Sequence, residues 1–424
     1  LTSEGPAVRI DSISRRLAQT RQPVRWKLKK MSKVLEGIRV LDFGRFIAGP
    51  FCAALLADYG ADVIRIDRVG GSEDRFIVPV TDSGEGALFL QCNRNKRSIT
   101  LDIDSEEGRE VVRRLVEKAD VVVANMPPKT LANLGLDYAT LSAINPGIIL
   151  TASTAFGSHE GAGHRVGFDG VGQAMSGAVY MSGTPDSPTK AMVPVVDFST
   201  ALSCALGTVM ALYERRISGR GQCVEASLLQ TALNLSSGAL IEEAALAIDR
   251  QAMGNRSPSY GPSDIFRVAD GWIIAQVIGQ PLFRRWANLI GAPELLDDPR
   301  FSDDLRRGEH GEFLSGLMGK WCVSRTRDDA LRELEKARIP AAPVYSPREA
   351  LDDASIQESG AYIWLDYPGL PRKAPIVAPP AMLSRTPPDV VRRPPTVGEH
   401  TEEVLAEVGY DRSQVQAMRK AGIV

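Results

Sequence analysis

The stretch Ile38-Arg-Val-Leu-Asp-Phe-Gly-Arg-Phe-Ile-Ala-Gly-Pro-Phe-Cys-Ala-Ala-Leu-Leu-Ala-Asp-Tyr-Gly-Ala-Asp-Val-Ile-Arg-Ile-Asp67 decides the fold. Its ends, Ile38 to Phe43 and Ala61 to Asp67, are short runs of branched apolar residues and read as strands. Between them Gly44 and Gly49 punctuate a turn, and Pro50 opens an apolar helix through Tyr59. A strand, a helix and a second strand joined this closely form a parallel βαβ unit.

The same alternation continues outward. Arg97 to Ile103 reads as a strand, Ser105 to Ala119 as an amphipathic helix, and Asp120 to Ala124 as a strand. A short helix ending at Pro146 precedes a strand over Ile148 to Ser153. The class is therefore α/β, with a Rossmann-like large domain built on a parallel sheet. The first unit has the layout of a dinucleotide site, but the GxGxxG fingerprint is absent from Gly44 to Pro50. Pro50 also lacks the N–H that a closely bound pyrophosphate would want. A nucleotide-like fold without NAD is expected.

A second stretch bears on chemistry: Ala191-Met-Val-Pro-Val-Val-Asp197-Phe-Ser-Thr, followed by an apolar helix over 201–215. Val193 to Val196 reads as extended, with Ser199 and Thr200 as candidate N-caps. Asp197 then meets the positive end of the helix dipole and stays ionised, poised as a nucleophile. Read by itself it is an ordinary capping residue.

Further along, Gly254 to Pro262 is a Gly/Pro/Ser loop that marks a boundary, and Gly271 to Val277 is a strand of a smaller α/β unit. The expected division is 1–30 as a leader or disordered extension, 31–235 as the first part of the large domain, 236–335 as linker and small domain, and 336–424 as a long return segment that completes the large domain.

With 50 basic and 52 acidic side chains in 424 residues, no overall field attracts nucleic acid or an anionic membrane. Neither is an expected partner. Any anionic ligand needs local cations, and Arg65, Arg68 and the run Asn93-Arg-Asn-Lys-Arg97 are candidates. The five cysteines show no CxxC spacing and form no metal pattern with the four histidines. No metal site is expected, and the thiols suit a reducing compartment, the cytoplasm first and a mitochondrial matrix second.

Taken together, several segments resemble the family III CoA-transferases, the group that includes formyl-CoA:oxalate and carnitine CoA-transferases. They are Leu35 to Phe43 with Ala48-Gly-Pro50, Leu56 to Arg68, Asn95 to Ile103, Gly219-Arg-Gly-Gln222 and Gly398-Glu-His-Thr401. The likeness runs from about residue 35 to the end of the chain. It implies that Asp197 is the nucleophile, that a CoA thioester is the substrate with no permanently bound cofactor, and that two chains interlock as a homodimer. It further implies that Ala48, Arg68, Leu101, Asp102, Ile103, Asp104, Asn125 and Met126 contact CoA, with Phe168 and Asp169 beside the substrate. Asn133 stands where the family often has Arg, and Lys129, Lys96 and Arg97 are the candidate phosphate cations. Ile47 replaces the Gln of the oxalate enzymes, and their consecutive glycines are missing near 254–262, so a different acid, dicarboxylic and with succinyl-CoA as donor, is expected.

The family's racemase branch pairs the equivalent Asp with the His of a Gly-His-Asp motif. Here the motif is Gly167-Phe-Asp169, and Phe168 cannot carry a proton. His159 and His164 read as loop residues. Transfer is thus favoured over racemisation, with a non-catalytic CoA-binding protein as the remaining alternative.

Overall fold

A computed structural model describes residues 33–159, 161 and 165–424. The expected leader and His164 lie outside the described residues. Six parallel strands form the main sheet: β1 Arg39–Asp42, β2 Asp62–Asp67, β3 Lys96–Thr100, β4 Val121–Ala124, β5 Ile149–Thr154 and β6 Cys223–Ser227. They lie in the order β3-β2-β1-β4-β5-β6, every neighbouring pair parallel. This is the doubly wound arrangement, in which the chain reverses its direction of travel between β1 and β4. Ligands bind at such a switch point because the loops leaving the two strands diverge and open a crevice.

Strands β1 to β5 are largely buried on both faces, while the edge strand β6 is mostly exposed. On one face helix α1, Ala48–Asp58, is buried along its entire length. It packs against the long helix α3, Val195–Ser218. On the other face Val111, Val112, Leu115 and Val116 share a core with Val404, Leu405, Val408 and Val415, so the C-terminal helices complete this layer.

A separate core collects Phe266, Ile273, Phe283, Trp286, Leu314 and Ile339 around a three-stranded antiparallel sheet. Its third strand, Ala341–Pro343, pairs with Gly271–Gln276. The expected break at 335/336 therefore falls inside this unit. The sequence does not reveal this continuation because the strand is only three residues long.

One further expectation changes. Val193 to Val196 is not an extended run: α3 begins at Val195 with Pro194 as N-cap, so Asp197 sits inside the first helical turn. By length and composition alone α3 could cross a membrane. Val196, Ala201, Cys204, Ala211 and Leu212 are buried along one side, while Leu206, Met210, Tyr213 and Ile217 are exposed along the other.

Candidate active site

The loop leaving β1 and the loop leaving β4 are tied together at the switch point. Asn125 Oδ1 accepts from the Arg45 backbone N–H at 2.7 Å, and Asn125 Nδ2 donates to the Arg45 carbonyl at 2.7 Å. The turn between them is tight: a Cβ on Gly44 would lie 2.7 Å from Pro50 Cδ. Two residues on, Phe46 has a φ of 64°, a conformation that a bulky side chain rarely accepts without compensation. Its ring meets Phe168 edge-on at 5.4 Å.

Asp197 opens into a cavity of about 220 Å³ whose walls include Arg45, Phe46, Ala48, Asn125 and Phe168. A second cavity, about 490 Å³, lies over the ends of β2 and β3 and is lined by Arg68, Leu101, Asp102, Ile103, Asp104 and Gly422, among others. Arg45, Glu73 and Met126 line both cavities. The two cavities therefore adjoin, one at the strand ends and the other at Asp197. A hollow of about 550 Å³ lined by Lys33, Asp62 and Asp389 is larger, but it has no wall in common with either.

Burial, and then the charge of Asp169, push the Asp197 carboxyl up to about 6. The helix dipole alone would act in the opposite direction, and at neutral pH the carboxyl is still mostly ionised. Desolvation outweighs the dipole because the first-turn N–H groups are already spoken for. Asp169 Oδ2 accepts from Val196 N at 2.7 Å and Asp197 N at 3.1 Å. Its other oxygen accepts from Gln173. Asp169 opens the helix α2, Asp169–Met175, and caps α3 from outside. Asp169→Ala is expected to strand those two N–H groups and cost about 1–2 kcal/mol. A urea midpoint unchanged from wild type would show that the cap contributes nothing.

Comparison with known proteins gives the family. The family model described as CoA-transferase family III matches residues 35–401. The chain belongs to the family III CoA-transferases. It is 35% identical to the succinyl-CoA–D-citramalate CoA-transferase of Chloroflexus aurantiacus, covering 88% of this chain and 94% of that one. It is 33% identical to the succinate–glutarate CoA-transferase of Agrobacterium fabrum, covering 88% and 95%. A crystal structure of a CAIB/BAIF family protein from Brucella suis superposes with a TM-score of 0.78 at 33% identity, covering 89% of this chain and all of that one.

In this CoA-transferase, Ala48, Arg68, Leu101, Asp102, Ile103, Asp104, Asn125, Met126, Phe168 and Asp197 all line one or both cavities. Several other candidates do not. Lys96 is fully buried, its Nζ held by Asp42 Oδ2 at 2.6 Å, the Pro50 carbonyl at 2.7 Å and Asn93 Oδ1 at 2.9 Å. All three donors are used, so none reaches a phosphate. Arg97 is bound to Asp62, Glu403 and Glu407, and clamps the helix Thr401–Glu407 to the sheet. Arg65 is likewise buried between Asp67 and Asp74. Lys129 and Asn133 are exposed on the short helix Pro128–Asn133 and line neither cavity. Asp169, expected beside the substrate, is committed to the cap.

Sequence reading missed Arg45, which faces both cavities while its Nη1 donates to the carbonyls of Phe43 and Gly44. Its place in the turn that leaves the first strand was the available signal. Glu73 was also missed. It follows Arg68 by five residues and approaches it at 3.8 Å.

Proposed function

We propose that this enzyme moves CoA from an acyl-CoA, with succinyl-CoA as the first-choice donor, to a small dicarboxylic acid through an aspartyl-CoA thioester on Asp197. The observation that carries this reading is the placement of Asp197 in a cavity that shares walls with a nucleotide-sized cleft. The dicarboxylate class is supported by the citramalate and glutarate relatives.

The Asp197 carboxylate attacks the thioester carbonyl and expels the CoA thiolate, leaving an acyl-aspartyl anhydride. The thiolate then attacks the aspartyl carbonyl, releasing the donor acid and forming the aspartyl-CoA thioester. The acceptor carboxylate attacks that carbonyl and again expels the thiolate. The thiolate finally attacks the acceptor's own carbonyl, yielding the new acyl-CoA and restoring Asp197. Each step exchanges one activated acyl group for another, so no ATP is consumed. A carboxyl group near 6 is ionised at neutral pH yet more basic than an ordinary aspartate, which suits a nucleophile. In the long cavity Arg68, 74% exposed at its side chain, is free to swing onto the nucleotide phosphates, and Arg45 faces the passage to Asp197.

The exposed apolar side of α3 is the surface we assign to an interlocked second copy, and a single-chain mass by light scattering would remove that assignment. The five unpaired cysteines suit the cytoplasm.

The reading is tested by incubating the enzyme with succinyl-CoA alone and quenching with hydroxylamine. An aspartyl hydroxamate should appear on the peptide containing Asp197. Labelling of a cysteine instead, such as nearby Cys204, would mean thiol-based transfer.

A further inference from the structure

Beside the Asp197 cavity lies a smaller one of about 160 Å³. The two share Asn125, Pro127, Thr154, Ala155, Gly167 and Phe168. The smaller one has no lining residue in common with the nucleotide cavity, so of the two it adjoins only the Asp197 cavity. Its walls are largely apolar and carry one charged side chain, Arg165. The guanidinium lies 3.8 Å from the centroid of the Phe156 ring, which is itself buried and so forms a fixed platform. Its Nη2 is 4.0 Å from Met175 Sδ, a weak acceptor. No carboxylate among the described residues lies within ion-pair distance of it.

We propose that Arg165 is a specificity residue that binds the far carboxylate of a dicarboxylic acid while the near carboxylate reacts at Asp197. The inference rests on the CoA-transfer reading above and adds how the acid is chosen. A small, largely apolar cavity with one solvent-exposed cation on its wall complements a short carbon chain charged at both ends. Guanidinium suits the task because its planar fork pairs a carboxylate through two parallel hydrogen bonds. A monocarboxylic acid of equal length places a methyl group there and leaves the guanidinium without a partner. The Phe156 platform fixes the height of the guanidinium, so chain length is also selected.

The experiment compares two exchange reactions in the full chain: labelled succinate into succinyl-CoA, and labelled butyrate into butyryl-CoA. Arg165→Met should lower kcat/KM for succinate by about 10- to 100-fold relative to butyrate, chiefly through the KM for the acid. Arg165→Lys should recover part of that ratio, since it restores the charge without the fork. An Arg165→Met enzyme that loses both exchanges equally, or keeps the wild-type ratio, would overturn the inference while leaving CoA transfer intact. So would a rise confined to the KM for the CoA thioester, which would place Arg165 on CoA. A folded wild type that exchanges neither acid, nor any other in a broad panel, would overturn the transferase reading and this inference together.

Discussion

Asp197→Ala is expected to lower kcat for CoA transfer by on the order of 10⁴-fold or more, as removal of a covalent nucleophile does elsewhere. Residual activity above about a tenth of wild type would sink the assignment. The fold should survive, because the α3 cap is made by Asp169 and not by Asp197. Stability should even rise. The Asp197 carboxyl is raised in the folded protein, so the native state binds its proton more tightly than the unfolded chain does. That makes the charged carboxylate a cost that is absent below about pH 4, grows as pH climbs through about 6, and is fully present at pH 7. Replacing it should return on the order of 1–2 kcal/mol at pH 7, after allowing for partial screening, and almost nothing at pH 4. The wild-type kcat/KM should fall on the acid side with a midpoint near 6. Asp169→Asn keeps an acceptor for the two N–H groups but removes the neighbouring charge, so that midpoint should move to lower pH. A midpoint that moves upward would mean that Asp169 acts on Asp197 in some other way.

The second large effect separates transfer from proton abstraction. A chiral 2-methylacyl-CoA held with the enzyme in D₂O should keep its configuration. It should take up deuterium at least about 100-fold more slowly than CoA is transferred, the factor a missing general base commonly costs. Phe168 is the reason. It stands where the racemase branch has its histidine, and its ring, 63% exposed and set edge-on to Phe46, forms part of the wall around Asp197. Glu73, the other carboxylate on that wall, is drawn to Arg68 in the neighbouring cavity. Phe168→His should raise deuterium uptake. Rapid uptake with loss of configuration in the wild type, without CoA exchange over a broad panel of acids, would make this chain a racemase.

Two misreadings share one physical origin. The start of α3 was placed too late because local signals, Ser199 and Thr200, stand in for a cap that comes from another element. Asp169 satisfies the first-turn N–H groups from 27 residues away in the chain, which lets the helix begin at Val195 inside a β-branched run. The basic run Asn93 to Arg97 was read as a phosphate site for the same reason. Charge is visible in a sequence, but its partner is not. Lys96 meets Asp42 across 54 residues, and Arg97 meets Glu407 across 310.

What the amino-acid order determined by itself is local and periodic. Branched apolar runs alternate with helical ones, and that fixes the α/β class together with the positions of five of the six strands; the sixth, Cys223–Ser227, is half polar and carries no such signal. The chain motifs identify the family, and Asp197 is marked by its place at the head of an apolar helix. Only the tertiary structure decided that β1 and β4 are neighbours, because sheet order depends on which faces bury each other and not on sequence separation. That adjacency brings Arg45 to Asn125 and sets the two cavities side by side. It also sorts the cations by solvation: Lys96 and Arg65 are withdrawn into ion pairs, while Arg68 and Arg165 remain at open cavity walls where a ligand can compete for them.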